Sequence, residues 1–172
     1  MDSSQFNFQI LSLSDKLFRL AKSILRNDES ARDAVQDLNL KLWEKRKQLE
    51  NVDNVPAFAM RSMRNLCLDT LRQSRDEDDV SSEFVYDAPS PYQQTESNDM
   101  AQRVKQMIDR LPELQRTIIC MRDVEGMEIS EIGYITGLNA NAVTVNLSRA
   151  RQKIREQILI ENKRVEDNIW RK

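Results

Sequence analysis

The chain has 172 residues and a mass of 20.1 kDa, with 31% charged side chains, no histidine and a formal net charge of -2. That length suits one or two small domains, and the missing histidines remove the commonest general base and metal ligand. Cys67 and Cys120 are too few for a disulfide framework or a four-ligand zinc site, the apolar stretches are too short for a membrane span, and the first twenty residues lack the order of a secretion signal.

No enzymatic chemistry, metal or cofactor is therefore expected, nor direct membrane insertion. In the first half, Phe18, Ala21, Ile24 and Leu25 recur at three- and four-residue spacing and predict an amphipathic helix over about 8–26. Phe6 and Phe8 extend its core or cover one end. Asp28 is the expected cap of a second helix, reaching about 48, with Ala31, Ala34, Val35, Leu38, Leu42 and Trp43 on its apolar side; Trp43 is expected in the core. Pro56 suits the first turn of a third helix. That helix, about 56–74, places Ala59, Met63, Leu66 and Thr70 on one side and Arg61, Arg64, Asn65 and Arg72 on a basic margin.

Residues 76–99 carry eight acidic side chains and no basic one, with Ser81, Ser82, Pro89, Ser90 and Pro91 among them. Like-charge repulsion and the Pro/Ser content predict a flexible acidic linker. The flanking segments, 1–75 and 100–172, each hold 13 basic and 10 acidic side chains. The acidic pI is thus set by the linker and says little against an anionic partner.

In the second half, Val104, Ile108 and Leu111 form a stripe before Pro112, and Leu114, Ile118, Ile119 and Met121 begin the next helix. All three glycines then fall within twelve residues: Gly126, Gly133 and Gly137. Gly126 suits a turn, and Gly137 suits the left-handed residue that closes a helix over 128–136. Asn139 is a natural cap for a helix over 140–158, whose inward face is Ala142, Val143, Leu147, Ala150 and Ile154. Glu128 is a poor cap, so the first helix of this pair should fray at its start.

A short helix, a tight turn and a longer helix make a helix-turn-helix. Its second helix offers Asn141, Thr144, Val145, Ser148, Arg149, Arg151 and Lys153 outside or beside the apolar stripe. Asn and Arg can read base edges, Val145 can touch a thymine methyl, and the cations from Arg149 onward suit phosphates. No acid occurs between Glu131 and Glu156, a 24-residue stretch.

The motifs Leu17-Phe18-Arg19-Leu20-Ala21, Asp33-Ala34-Val35-Gln36-Asp37, Lys41-Leu42-Trp43 and Arg64–Arg72 resemble region 2 of the extracytoplasmic-function (ECF) group of bacterial sigma factors. Leu111-Pro112-Glu113-Leu114-Gln115-Arg116, Glu125-Gly126-Met127, Glu131-Ile132-Gly133 and Leu147-Ser148-Arg149-Ala150-Arg151 resemble region 4. The resemblance implies an all-α fold of two small helical domains: a region 2-like bundle at 1–75, the linker at 76–99, a region 4-like domain at 100–160 and a tail at 161–172. It implies an alternative initiation factor that binds core RNA polymerase and promoter DNA in the cytoplasm. Asp33, Gln36, Asp37, Leu40 and Lys41 would meet the clamp helices of the largest polymerase subunit, and the second domain the flap of the second-largest. Arg61, Arg64, Asn65 and Arg72 would lie near the nontemplate strand of the -10 element, and the helix-turn-helix would read the -35 duplex. An anti-sigma factor is the implied inhibitor. A conventional helix-turn-helix regulator would explain 128–155 but leave the first half without a purpose.

Overall fold

The computed structural model describes the backbone of residues 1–77 and 96–169, and the side chains of residues 1–74 and 100–163. The described residues are helical and contain no strand. The helix predicted over 8–26 is two: α1, Ser3–Gln9, and α2, Ser14–Leu25, separated by a 3₁₀ turn at Leu11–Leu13. Asp2 starts α1 early through a reciprocal cap with Gln5. The break falls where two hydroxyls turn back on the backbone: Ser12 donates to the Phe8 carbonyl, and Ser14 to that of Leu11 at 2.7 Å. Phe6 is buried, whereas Phe8 is exposed.

Helix α3, Asp28–Glu44, is capped by Asn27 and not by Asp28. Asn27 sits in an extended conformation, and its side chain accepts the Ser30 N–H at 2.8 Å. The helix stops short of 48, and a 3₁₀ turn at Gln48–Asn51 follows. Helix α4, Val55–Glu77, begins with Pro56 in its first turn and with Asn54 accepting the Ala57 N–H at 2.9 Å. Its buried stripe is Ala59, Met60, Met63 and Cys67, not Leu66 and Thr70. The predicted stripe drifts toward solvent: Leu66 is half-buried, and Thr70 is exposed and bonds back to the Leu66 carbonyl. Trp43 is also a correction. It stands at the rim, 36% exposed, with its ring edge-on to Phe6 and the Arg46 guanidinium 4.3 Å from its centroid.

In the second half, α5 (Glu96–Asp109) and α6 (Glu113–Ile119) lead into one π-helical turn at Cys120–Val124, where the Glu125 N–H reaches the Cys120 carbonyl at 3.0 Å. Gly126 (φ 69°) reverses the chain. Helix α7, Ile129–Thr136, closes on Gly137 (φ 74°). Its start is better held than Glu128 suggested, because the Glu131 carboxylate accepts the Glu128 N–H at 2.9 Å. Helix α8 runs Ala140–Ile169, so the predicted tail is helical through 169. Helices α4 and α5 likewise reach into the two ends of the predicted linker; residues 78–95 lie outside the described residues.

Helices α2, α3 and α4 pack together, as do α6, α7 and α8, and the halves then pack on each other through α2 against α6 and α4 against α7. All the buried apolar residues but Met107 form one continuous cluster from Phe6 to Ala150. Cys67 is buried in this interior, and Cys120 is half-buried beside it. Burial pushes the Cys67 thiol up to about 12 and that of Cys120 to about 11, from an ordinary 9.0. Two results are expected. Native thiols react slowly with a disulfide reagent at pH 8 and rapidly once the chain is unfolded, as absorbance of the released thiol would report. Stability also falls as the pH rises from about 9 to about 11, because there the unfolded chain has lost thiol protons that the native chain keeps.

Candidate nucleic-acid interface

The helix-turn-helix is set by backbone geometry. The Gly133 carbonyl accepts the N–H groups of Gly137 (2.8 Å) and Leu138 (3.1 Å), which closes α7 and turns the chain. The Asn139 side chain then accepts the Ala142 N–H at 2.8 Å and starts α8. Val143, Leu147 and Ala150 are buried, so the opposite face of α8 is presented outward. Asn141, Thr144, Val145, Ser148 and Arg149 lie exposed on that face. Thr144 donates to the Ala140 carbonyl at 2.9 Å, which leaves its oxygen lone pairs and methyl group outward. Lys153 is exposed one turn farther along, off to the side.

Arg151 has a different neighbour. Its Nε donates to Asp123 Oδ2 at 3.0 Å and its Nη2 to Oδ1 at 2.5 Å, tying α8 to the turn before α7. This hydrogen-bonded pair raises the Arg151 pKa. Arg122, from the same turn, donates to the Met127 carbonyl at 2.6 Å. The segment that precedes the helix-turn-helix is thus clamped from both sides.

Helix α4 presents a second polar face. Arg61, Asn65 and Arg72 follow one another along the helix at spacings of four and seven residues, with Arg64 alongside. At 1.5 Å per residue, they line about 16 Å of it. Arg61, Asn65 and Arg72 are exposed, and Arg72 pairs with Asp69 at 3.4 Å. Arg64 is half-buried, and its Nε–H finds no hydrogen-bond acceptor among the described residues. On α3, Asp33, Gln36, Asp37, Leu40 and Lys41 form a third exposed face, centred on Leu40 at 63% exposure and with Lys41 paired to Asp37 at 3.0 Å.

Comparison with known proteins assigns each half. The model of Sigma-70 region 2 matches residues 10–77, and that of Sigma-70 region 4 matches residues 101–154. ECF RNA polymerase sigma factor SigM of Mycobacterium tuberculosis is 29% identical over 139 residues, 81% of this chain and 69% of that protein. The chain belongs to the ECF group of sigma factors. RNA polymerase sigma factor SigV of Bacillus subtilis is likewise 29% identical, over 84% of this chain and 86% of its own length. Among solved structures, the sigma factor RpoE from Bartonella quintana, crystallised with the anti-sigma factor NepR, superposes with a TM-score of 0.72 at 25% identity, covering 91% of this chain and 98% of that one. CnrH, solved with the cytosolic domain of CnrY, shares the fold at a TM-score of 0.61 and 20% identity, over 91% and 89% of the two chains.

As a sigma factor, the protein is a non-enzymatic initiation factor with region 2 and region 4 modules. No helix among its described residues is long and apolar enough to cross a membrane. The residue most conspicuous in the structure entered the sequence reading only as the end of a motif, with no role assigned to it. Arg116 of α6 is 3% exposed. Its Nη1 donates to the carbonyls of Leu111 (2.7 Å) and Asp109 (3.5 Å), and its Nε to that of Ser23 in the other half. Burial lowers its pKa, with Arg26 adding to the effect. The Ser23 carbonyl is among the last four of α2, which have no partner within their own helix. A cation there also meets the negative end of the helix dipole.

Proposed function

We propose that this sigma factor docks on core RNA polymerase through the α3 face, reads the -35 element as duplex with α8, and holds the nontemplate strand of the -10 element against α4. The observation that carries the reading is the pair of outward polar and cationic faces, one on each module, with different geometry. The α8 face begins at a capped helix N-terminus, where free N–H groups favour phosphate, and continues through Asn141, Thr144, Val145 and Arg149 in the pattern of a major-groove reader. The α4 face has cations around one amide, which suits a single strand whose bases are taken out of the stack.

On α3, an exposed leucine ringed by Asp33, Gln36, Asp37 and Lys41 is the composition of a protein contact. Its partner is the clamp-helix pair of the largest subunit, while region 4 meets the flap of the second-largest. Attachment to polymerase then makes two individually weak DNA contacts sufficient through effective concentration. The protein works in the cytoplasm and is held in check by an anti-sigma factor, in line with the anti-sigma factor named as the partner in the Bartonella quintana structure.

The test is a division of labour in the reconstituted holoenzyme. Arg149→Ala is expected to weaken binding to -35 duplex about ten- to a hundredfold, the range for loss of a groove-reading arginine. Asn65→Ala should leave duplex binding intact and slow strand opening, followed by permanganate reactivity of unpaired thymines. Equal losses from both variants in both steps would reject the assignment.

A further inference from the structure

Arg151, a cation whose type and place in the sequence suit phosphate, is already engaged by a carboxylate. It follows the buried Ala150 and lies about 100° round α8 from it, on the flank of the apolar stripe and away from Val145 and Arg149. Its Nε–Nη2 edge is taken by the two carboxylate oxygens of Asp123, at 3.0 and 2.5 Å. Asp123 belongs to the π-helical turn Cys120–Val124, whose other links fix it in place. The neighbouring Arg122 donates to the Met127 carbonyl at 2.6 Å and lies 3.5 Å from Glu128, the residue that precedes α7. Glu125, just after the turn, accepts both hydrogen bonds of the Arg19 fork from α2, the second at 3.0 Å, so it does not compete for Arg151.

We propose that Arg151 is a positioning residue for -35 recognition: paired with Asp123, it sets the tilt of α8 in the groove and does not grip a phosphate. The inference rests on the assignment of α8 to the -35 duplex. The turn from Gly133 to Asn139 fixes only the N-terminal end of α8. Arg151 lies about 17 Å farther along the axis, at 1.5 Å per residue from Ala140, where a tie has the leverage to fix direction. Val143, Leu147 and Ala150 decide which face points outward, and a two-pronged bond beside that stripe also resists rolling about the helix axis. Such control matters because a binding constellation tolerates only about 0.5 Å of misplacement. Charge points the same way. Asp123 neutralises the Arg151 cation at contact distance, so the pair offers a DNA backbone no net attraction. Arg149 and Lys153 pair with no carboxylate among the described residues and remain available to DNA.

The experiment titrates the reconstituted holoenzyme against a fluorescent duplex carrying the -35 element, at several salt concentrations, with melting of each free variant measured in parallel. Asp123→Asn removes a negative charge beside the DNA, so simple electrostatics expects tighter binding. The tie expects weaker binding, by about tenfold, the weight of one displaced base contact. Asp123→Ala with Arg151→Ala keeps the net charge and should show the same loss, with the slope of log affinity against log salt unchanged. Reversing the pair, Asp123→Arg with Arg151→Asp, should recover most of the affinity. The pair is exposed, so each melting temperature should fall by no more than about 4 °C. Tighter binding by Asp123→Asn overturns the proposal. So does a slope shallower by about 0.9 in the double alanine variant, the mark of one lost phosphate contact. Unchanged affinity in both variants overturns it too and leaves an ion pair that serves stability alone. Arg149→Ala in the same assay separates this inference from the reading beneath it. If that variant is weakened, any of these failures refutes the tie alone; if it binds like wild type, α8 is not the reader and both fall.

Discussion

Replacing Arg116 by alanine lowers the melting temperature by roughly 6–12 °C, measured by calorimetry. The expectation follows from what the side chain satisfies. Its guanidinium is buried and reaches carbonyls on both sides of the module boundary: Asp109 and Leu111 at the turn between α5 and α6, and Ser23 near the end of α2. Truncation leaves three carbonyls without this donor, and at the low end of about 1–3 kcal/mol each, because the Asp109 contact is long and part-buried, the loss is roughly 3 kcal/mol in all. For a chain of this size, each kcal/mol moves the midpoint by about 2–4 °C. Arg116→Lys should recover less than half of the loss, because an ammonium cannot reproduce the planar fork. A shift below about 2 °C for alanine would show that water replaces the guanidinium and that these bonds are not what joins the halves.

Gly133→Ala tests a case in which local and tertiary effects have opposite signs. Gly133 lies within α7, and alanine is favoured over glycine in a helix by about 1 kcal/mol. Helix propensity alone thus expects a more stable protein. The structure expects the reverse, because a Cβ at this position would meet the Leu138 carbonyl oxygen at 2.8 Å. That atom is backbone, held in the turn by the Leu138 N–H bond to the Gly133 carbonyl, and has no rotamer by which to withdraw. Overpacking of this kind costs about 1–3 kcal/mol. The turn can relieve it only by shifting Asn139 and the start of α8, which carries Asn141 and Thr144. Duplex affinity of the holoenzyme should therefore fall about tenfold or more, while docking on polymerase through α3 is unchanged. Titration of the variant holoenzyme against -35 duplex, with a urea melt in parallel, checks both effects. A stabilised protein with unaltered duplex binding would mean that the turn has room the geometry denies.

These two residues mark where sequence reading succeeds and where it stops. Helix type, the turn at Gly137, the cap at Asn139 and the outward face of α8 were all legible, because each depends on residues within about four positions of one another. The same locality made the basic margin of α4 visible as a spacing. The errors were local too, but finer. Ser12 and Ser14 bonding to their own backbone split one predicted helix in two. A modest drift in helical phase moved the buried stripe of α4 from Leu66 and Thr70 to Met60 and Cys67.

What the amino-acid order alone determined was therefore a set of amphipathic helices and the chemistry of their outer faces. Only the tertiary structure decided which of those faces are free. Arg19 and Glu125 are 106 positions apart, and Ser23 and Arg116 are 93 apart. Neither pair leaves any mark in periodicity, since nothing in a helix's own spacing records which helix packs against it. An arginine in a mixed-charge sequence reads as solvated, and Arg116 becomes a buried tie only when the end of α2 and the turn after α5 bring three carbonyls to one point. Arg61 likewise reads as a free cation until the packing of α7 on α4 sets Tyr134 beside it.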